Sequence, residues 1–253
     1  MKESGHWYDK DGEARHTIES AKGEPRPTTL RDAKKFGWYP SVTTVMKVMA
    51  APELDRWKQQ QVLMASLTLP RNPDETDEVY CARIIEDAFK QVSDAADLGT
   101  RVHKALENFF SGLPYEPEMH PYVQPVQDWV AVNRVTFLSN EVRLVNSEVG
   151  YAGTTDALIM KDGILHVLDF KTRKTKKDVK VTPYSKEPMQ IAAYAKIAGA
   201  KRGVNLYIST TEPGRVGEAW YDEETLEKEF TGFVHVCAVW QHINKYTPPK
   251  THE

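Results

Sequence analysis

Two aspartates and one lysine in mid-chain have the types and spacing to hold a divalent cation beside a positive charge. They lie in the stretch Gly150-Tyr-Ala-Gly-Thr-Thr-Asp156-Ala-Leu-Ile-Met-Lys-Asp162-Gly163-Ile-Leu-His-Val-Leu-Asp169-Phe-Lys171. Asp162-Gly163 between two apolar runs is a strong signal for a two-residue hairpin turn. With that turn Lys161 faces Ile164, and the register carries Asp156 opposite Asp169. Directly opposed Cβ atoms lie ~4.5–5.5 Å apart, where like charges destabilise a sheet. A cation between the carboxylates removes the penalty, and such oxygen ligands suit Mg2+ or Mn2+. Leu165, Val167, Asp169 and Lys171 share one strand face. Lys171 therefore projects beside the pair, able to handle a proton or stabilise charge. The bland alternative is a salt-bridged surface in which Lys171 merely offsets one aspartate; the opposed register favours the metal site.

Asp156, a gap of 12 residues and then Asp169-Phe170-Lys171 resemble the PD-(D/E)XK nuclease signature, with Phe170 at the variable position. Further motifs are similar to its RecB-like and phage-exonuclease branch. These are Gly99-x-x-x-His103 followed by Leu106-Glu107, Gly153-Thr-Thr-Asp156, and Gln190-x-x-x-Tyr194. Pro40-Ser-Val-Thr-Thr-Val45 is similar to the entry segment of the phage and mitochondrial-type members. Thr155 stands where the signature has Pro, a common departure. The likeness covers about residues 40–210.

The resemblance implies an α/β, restriction-endonuclease-like core with a small mixed sheet flanked by helices, plus a mostly helical N-terminal region. It implies one nuclease domain over 1–253, with an annex at 1–97, the core at 98–210 and a C-terminal helical extension at 211–253. Asp156, Asp169, the Phe170 carbonyl and His103 would ligate Mg2+ or Mn2+. Lys171 would orient the attacking water, while Gln190 and Tyr194 would position the DNA end or phosphate. The implied activity is a DNA exonuclease in end processing or recombination. An endonuclease, a catalytically inactive DNA-binding subunit and a small-molecule phosphohydrolase stay open, as do polarity and oligomeric state. A single-strand-annealing or single-strand-binding protein is a conceivable partner. An iron–sulfur cluster is not expected, because two cysteines cannot supply its ligands.

Each supporting residue also has an ordinary reading. His103 could be a helix histidine bonded to a carboxylate. However, Gly99, His103 and Glu107 fall on one face, apart from the Val102, Leu106 and Phe109 stripe. Glu107 and Glu141 are weaker acidic candidates. Tyr194 could be core packing, and Gln190 solvated. The run Lys171 to Lys180 holds six basic residues among ten. Such a run is usually a solvated loop, but Arg173, Lys174, Lys176 and Lys177 are placed to contact phosphates. Trp38, Tyr39 and Trp57 could stack on unpaired bases, although core packing explains them as well.

The elements that must position these groups follow from periodicity. A hairpin is predicted over 6–18 and a loop over 20–40. Ser41 N-caps a helix over 42–50, and a second helix starts at Pro52 and runs to about 67. Helices are predicted over 75–96, on a stripe of Val79, Ala82, Ile85, Ala88, Phe89 and Val92, and then from Gly99 to Phe110. A helix over 121–135 precedes strands at 137–147, 152–161 and 164–171. A helix at 185–199, a buried strand at 203–209 and a helix at 222–244 complete an α/β order.

The 253 residues carry 33 Lys plus Arg against 36 Asp plus Glu, a formal charge of −3, so any phosphate-binding surface must be local. With 40% hydrophobic and 27% charged residues the chain excludes wholesale disorder and rod-like folds. No apolar run is long enough to span a bilayer. The opening segment lacks the apolar core of a secretory signal, and a cytoplasmic location is the expectation. Cys81 and Cys237 read as small buried hydrophobes.

Overall fold

The computed structural model describes residues 5–250, without the side chains of Glu53, Gln91, Val92 and Ala95. The Val92 position of the predicted stripe thus lies outside the described residues. The N-terminal part is largely helical, as expected, and adds two small two-stranded sheets. Strands β1 (Trp7–Tyr8) and β4 (Tyr39–Pro40) pair antiparallel, as do β2 (Thr17–Glu19) and β3 (Pro25–Pro27). The predicted 6–18 hairpin survives as a tight turn closed by a Tyr8↔Ala14 bridge, but β1 finds its ladder partner in β4. The predicted 20–40 loop contains helix α1 (Leu30–Phe36), started by a Thr29/Asp32 capping box.

Ser41 caps α2 (Val42–Val45) as its side chain accepts the Thr44 N–H, and a 3-10 turn at Met46–Val48 follows. Helix α3 (Pro52–Thr68) opens on proline. The two helices predicted over 75–110 are one, α4 (Asp77–Phe110), which passes through Gly99 without a break. Thr76 caps it and Asp77 and Glu78 complement its dipole. Gly99 is therefore an interior residue, tolerated at ~1 kcal/mol relative to Ala. A predicted boundary at 97/98 would fall inside this helix.

Helix α5 (His120–Asn133) leads into β5 (Thr136–Asn146), β6 (Tyr151–Lys161) and β7 (Ile164–Arg173). Helix α6 (Glu187–Ala198) crosses to β8 (Arg202–Ser209), followed by β9 (Val216–Tyr221) and α7 (Glu223–Asn244). The five-stranded sheet runs β5-β6-β7-β8-β9, with only the β7–β8 pair parallel. Strand β9 was not anticipated, so segment 211–253 adds a sheet strand as well as a helix. The sheet between helices is compatible with the α/β arrangement expected.

Helices lie on both sheet faces. Val102 and Leu106 of α4 and Val123 and Val126 of α5 pack on Ala157, Ile159, Leu168, Phe170 and Leu206. On the other face, Val167 and Tyr151 meet Ile191 and Tyr194 of α6 and Phe233 and Cys237 of α7. Strand β8, covered on both sides and paired along both edges, is a near-continuous apolar run, as a buried strand requires. Cys237 is buried and Cys81 exposed, which corrects the expectation for Cys81. Among the described residues no helix is long and apolar enough to cross a membrane.

Candidate active site

The hairpin turn forms as predicted. Asp162 and Gly163 both adopt positive φ (51° and 75°), the backbone a two-residue type I′ turn demands. Lys161 pairs with Ile164, and the ladder continues to Ala157↔Leu168. Asp156 and Asp169 follow next, just beyond the last ladder pair, close enough that, on top of burial, the Asp156 charge raises Asp169. There the Asp156 carboxylate accepts the Phe170 N–H at 2.6 Å, while the Thr155 hydroxyl donates to the Leu168 carbonyl at 3.3 Å.

Asp156 is also passed over on its other edge, where pairing jumps from Asn140↔Ala157 to Val142↔Thr155. Glu141, the residue opposite, has φ +49°, a sparsely populated conformation for a non-glycine residue. Side-chain alternation slips at this point. Tyr151 and Gly153 face α6, yet beyond Asp156 it is Leu158, of the opposite parity, that joins that layer. Such an irregularity re-aims a side chain, as bulges commonly do beside functional sites.

His103 reaches the cluster from α4, with Nδ1 3.3 Å from Asp156 Oδ1 and its ring edge-on to Phe170. Lys171 Nζ lies 2.7 Å from Asp169 Oδ2. The Gln190 amide of α6 bridges this pair, accepting from Lys171 and donating to Asp169 Oδ1, both at 3.2 Å. Tyr194, one turn along, is buried against Gly153. A Cβ on Gly153 would lie 2.7 Å from Tyr194 Cε1, so the close approach needs glycine. The fold thus brings together His103, Asp156, Asp169, Phe170, Lys171, Gln190 and Tyr194 from α4, β6, β7 and α6.

The electrostatics are those of a crowded acidic pair held by its own cations. Burial alone would lower His103, but its hydrogen bond and charge interaction with Asp156 leave it raised. Burial raises both carboxyls, yet His103 and Lys171 pull Asp156 below its ordinary value, whereas Asp169, with the Asp156 charge nearby, stays raised. Lys171 is raised by Asp169 and Asp156 against its own desolvation, so it is an ammonium. Partial burial, with Asp156 and then Glu107 nearby, pushes the Glu141 carboxyl up to about 7. Glu107 and Glu141 line the same small cleft as His103, Asp156 and Phe170.

The basic run divides. Arg173 points inward, its guanidinium 3.8 and 4.5 Å from the Tyr184 and Tyr207 ring centroids and 2.5 Å from Glu187 Oε1. Its charge is used within the fold. Lys174, Lys176 and Lys177 are exposed. Trp57 is partly exposed on α3, Tyr39 is buried, and Trp38 stacks on Phe36.

Three further residues support the cluster without having been anticipated. Asn205 of β8, in register with Asp169, donates to Asp169 Oδ2 at 2.8 Å. Tyr221 of β9 donates to Asn205 Oδ1 at 2.8 Å, and Tyr207 donates to Glu187 Oε2 at 2.8 Å. The one signal in the sequence was an asparagine inside an otherwise apolar strand, since a buried polar side chain needs partners.

No family model matches this chain, and no curated protein matches it. Among solved structures, SSO0001 aligns at 17% identity and TM-score 0.34, over 79% of this chain and 90% of that one. An alkaline exonuclease, LHK-Exo from Laribacter hongkongensis, aligns at 12% identity and TM-score 0.40, over 81% and 91%. LHK-Exo in complex with dAMP gives 12% identity and TM-score 0.42, over 81% and 87%. Likenesses this distant leave the chemistry to be argued from the site itself.

Proposed function

We propose that this protein is a divalent-metal-dependent DNA nuclease, acting as an exonuclease on DNA ends without regard to sequence. The observation that carries this reading is the Asp156/Asp169 pair, Asp169 buried and Asp156 mostly so, neutralised on one side by Lys171 and approached on the other by His103. Buried like charges are costly and persist where a site uses them.

In kind, the donor set fits Mg2+ or Mn2+: two carboxylates, the Phe170 carbonyl and one imidazole. Among the described residues no three acidic, histidine or cysteine side chains already form a cage. The carboxylates are paired instead with His103 and Lys171, cationic groups whose places an added positive charge can share. Asp156, Asp169, Phe170 and His103 would hold the ion. Bound there, it supplies Lewis-acid stabilisation of a phosphate oxygen and acidifies water.

The remaining roles belong to the chain's own groups. Lys171, kept protonated by its carboxylate neighbours, is a poor base and a good donor. It orients the attacking water and stabilises charge on the phosphate. Tyr194, whose pKa lies well above its ordinary value through burial, also stays protonated, and together with Gln190 it positions the phosphate. Lys174, Lys176 and Lys177 contact the backbone of the DNA, the source of most sequence-independent affinity.

The test is digestion of end-labelled linear DNA and closed circular DNA by wild type and Lys171→Ala, with Mg2+ or EDTA. Loss of linear DNA alone, abolished by EDTA and reduced at least ~100-fold in Lys171→Ala, is the expected result and gives the polarity. Cutting of the circle makes it an endonuclease. DNA binding without cleavage by any metal overturns catalysis and leaves a binding subunit.

A further inference from the structure

Asp169 is held from behind as well as from the side. A carboxylate has about four lone-pair positions, and three on Asp169 are occupied. Oδ2 receives Lys171 and the Asn205 amide, and Oδ1 receives Gln190. The donors come from three elements, β7, β8 and α6, so the carboxylate cannot rotate without breaking bonds to all of them. One position, on Oδ1, is left to offer.

Asn205 is itself fixed. It is fully buried in the middle of β8. An asparagine amide presents donors from one end and an acceptor from the other, so its usefulness depends on which way it is turned. The Tyr221 hydroxyl donates to Asn205 Oδ1 at 2.8 Å and thereby turns the NH2 toward Asp169. Were the amide reversed, its oxygen would face a carboxylate and an O–H donor would face N–H donors. Beside Tyr221 stands Tyr207, whose hydroxyl is committed to Glu187, and Glu187 in turn holds Arg173 at the root of the exposed lysines.

We propose that Asn205, locked by Tyr221, is a positioning residue for cation binding: it orients the Asp169 carboxylate so that its single free lone pair on Oδ1 is presented to the metal. This rests on Asp169 being a metal ligand. Asn205 touches neither DNA nor ion; it acts through Asp169. Outer partners of metal-ligating carboxylates typically contribute 10–100-fold in metal affinity, the range expected of this amide. Tyr221 acts one bond further out and contributes less.

The test uses the full chain without DNA. Mn2+ binding is followed by the electron-spin signal of free Mn2+, with melting temperature and DNA affinity in EDTA measured on the same samples. Asn205→Ala is expected to weaken Mn2+ binding by ~10–100-fold and to leave DNA affinity in EDTA unchanged. Tyr221→Phe, which keeps the ring and removes only the lock, is expected to weaken it by several-fold and carries the test should Asn205→Ala not fold. Asp169→Asn serves as the reference for the ligand itself. Wild-type Mn2+ affinity in a folded Asn205→Ala, or in Tyr221→Phe should Asn205→Ala not fold, with Asp169→Asn impaired, overturns the role of Asn205 alone. Mn2+ binding absent in wild type, or insensitive to Asp169→Asn, overturns the metal reading together with it.

Discussion

The Asp156 carboxylate and the Phe170 main chain are joined by a 2.6 Å hydrogen bond that takes the place of strand pairing just where the β6–β7 ladder stops. The bond ties the carboxylate of one strand to the peptide N–H that follows Asp169 on the other. His103 shares the same carboxylate through its other oxygen, so protonation of that imidazole is felt across the site.

The pH dependence follows. His103 has a folded pKa raised above its ordinary 6.5, so its contribution to stability is fully present below that value. It is lost as pH rises through the folded pKa. Metal-free protein should therefore lose melting temperature above pH 6.5, and His103→Ala should flatten that decline. Melting curves in EDTA at half-unit pH steps check this. Identical pH slopes in the two proteins would contradict the His103–Asp156 pairing.

Close packing of β6 on α6 gives a second expectation. Gly153→Ala places a methyl 2.7 Å from Tyr194 Cε1, and the Tyr194 ring has no room to retreat, being buried. Overpacking of this kind costs about 1–3 kcal/mol. Chemical denaturation should report that loss. Cleavage should fall further than the reduced stability explains, because displacing Tyr194 shifts α6 at a point one turn from Gln190, which bridges the Asp169–Lys171 pair.

Arg173 and the lysines beyond it should separate cleanly. Arg173→Lys cannot keep a planar group between Tyr184 and Tyr207 while pairing with Glu187, so it should destabilise the fold by about 1–2 kcal/mol. Replacing Lys174, Lys176 and Lys177 with alanine should leave stability unchanged. It should instead weaken DNA binding and reduce the salt dependence of log Kd by about one unit for each phosphate no longer neutralised. An unchanged salt slope in the triple variant would remove these lysines from the interface.

The hairpin was legible because an Asp-Gly turn fixes both loop length and register, and register fixes which side chains meet. The contribution of α6 was legible through the resemblance carried by Gln190-x-x-x-Tyr194, whose i, i+4 spacing only places the two on one helix face. What escaped depends on tertiary context. The slip of alternation at Asp156 depends on pairing with β5 and leaves no mark in composition. Gly99 read as a helix boundary because its propensity is poor, yet packing carries α4 straight through it. Strand β9, Val-Gly-Glu-Ala-Trp-Tyr, is too short and mixed to announce itself, and without it Tyr221 could not be placed behind Asn205. Helix α1 did carry a signal, the Thr29–Asp32 box, within a stretch rich in proline and lysine.

The two acidic residues lie on a single hairpin with only 12 residues between them. The entropy of bringing them together is that of closing one short loop, and it grows only slowly with length. His103, Gln190 and Asn205 come from segments that need longer closures or a helical crossover. During folding, then, the electrostatic conflict between Asp156 and Asp169 belongs to the most local unit of the sheet, and the groups that relieve it from α4, α6 and β8 must be gathered over greater chain distances. Lys171 alone travels with the pair, two residues from Asp169, a built-in counter-ion for the chain before the rest of the site has assembled.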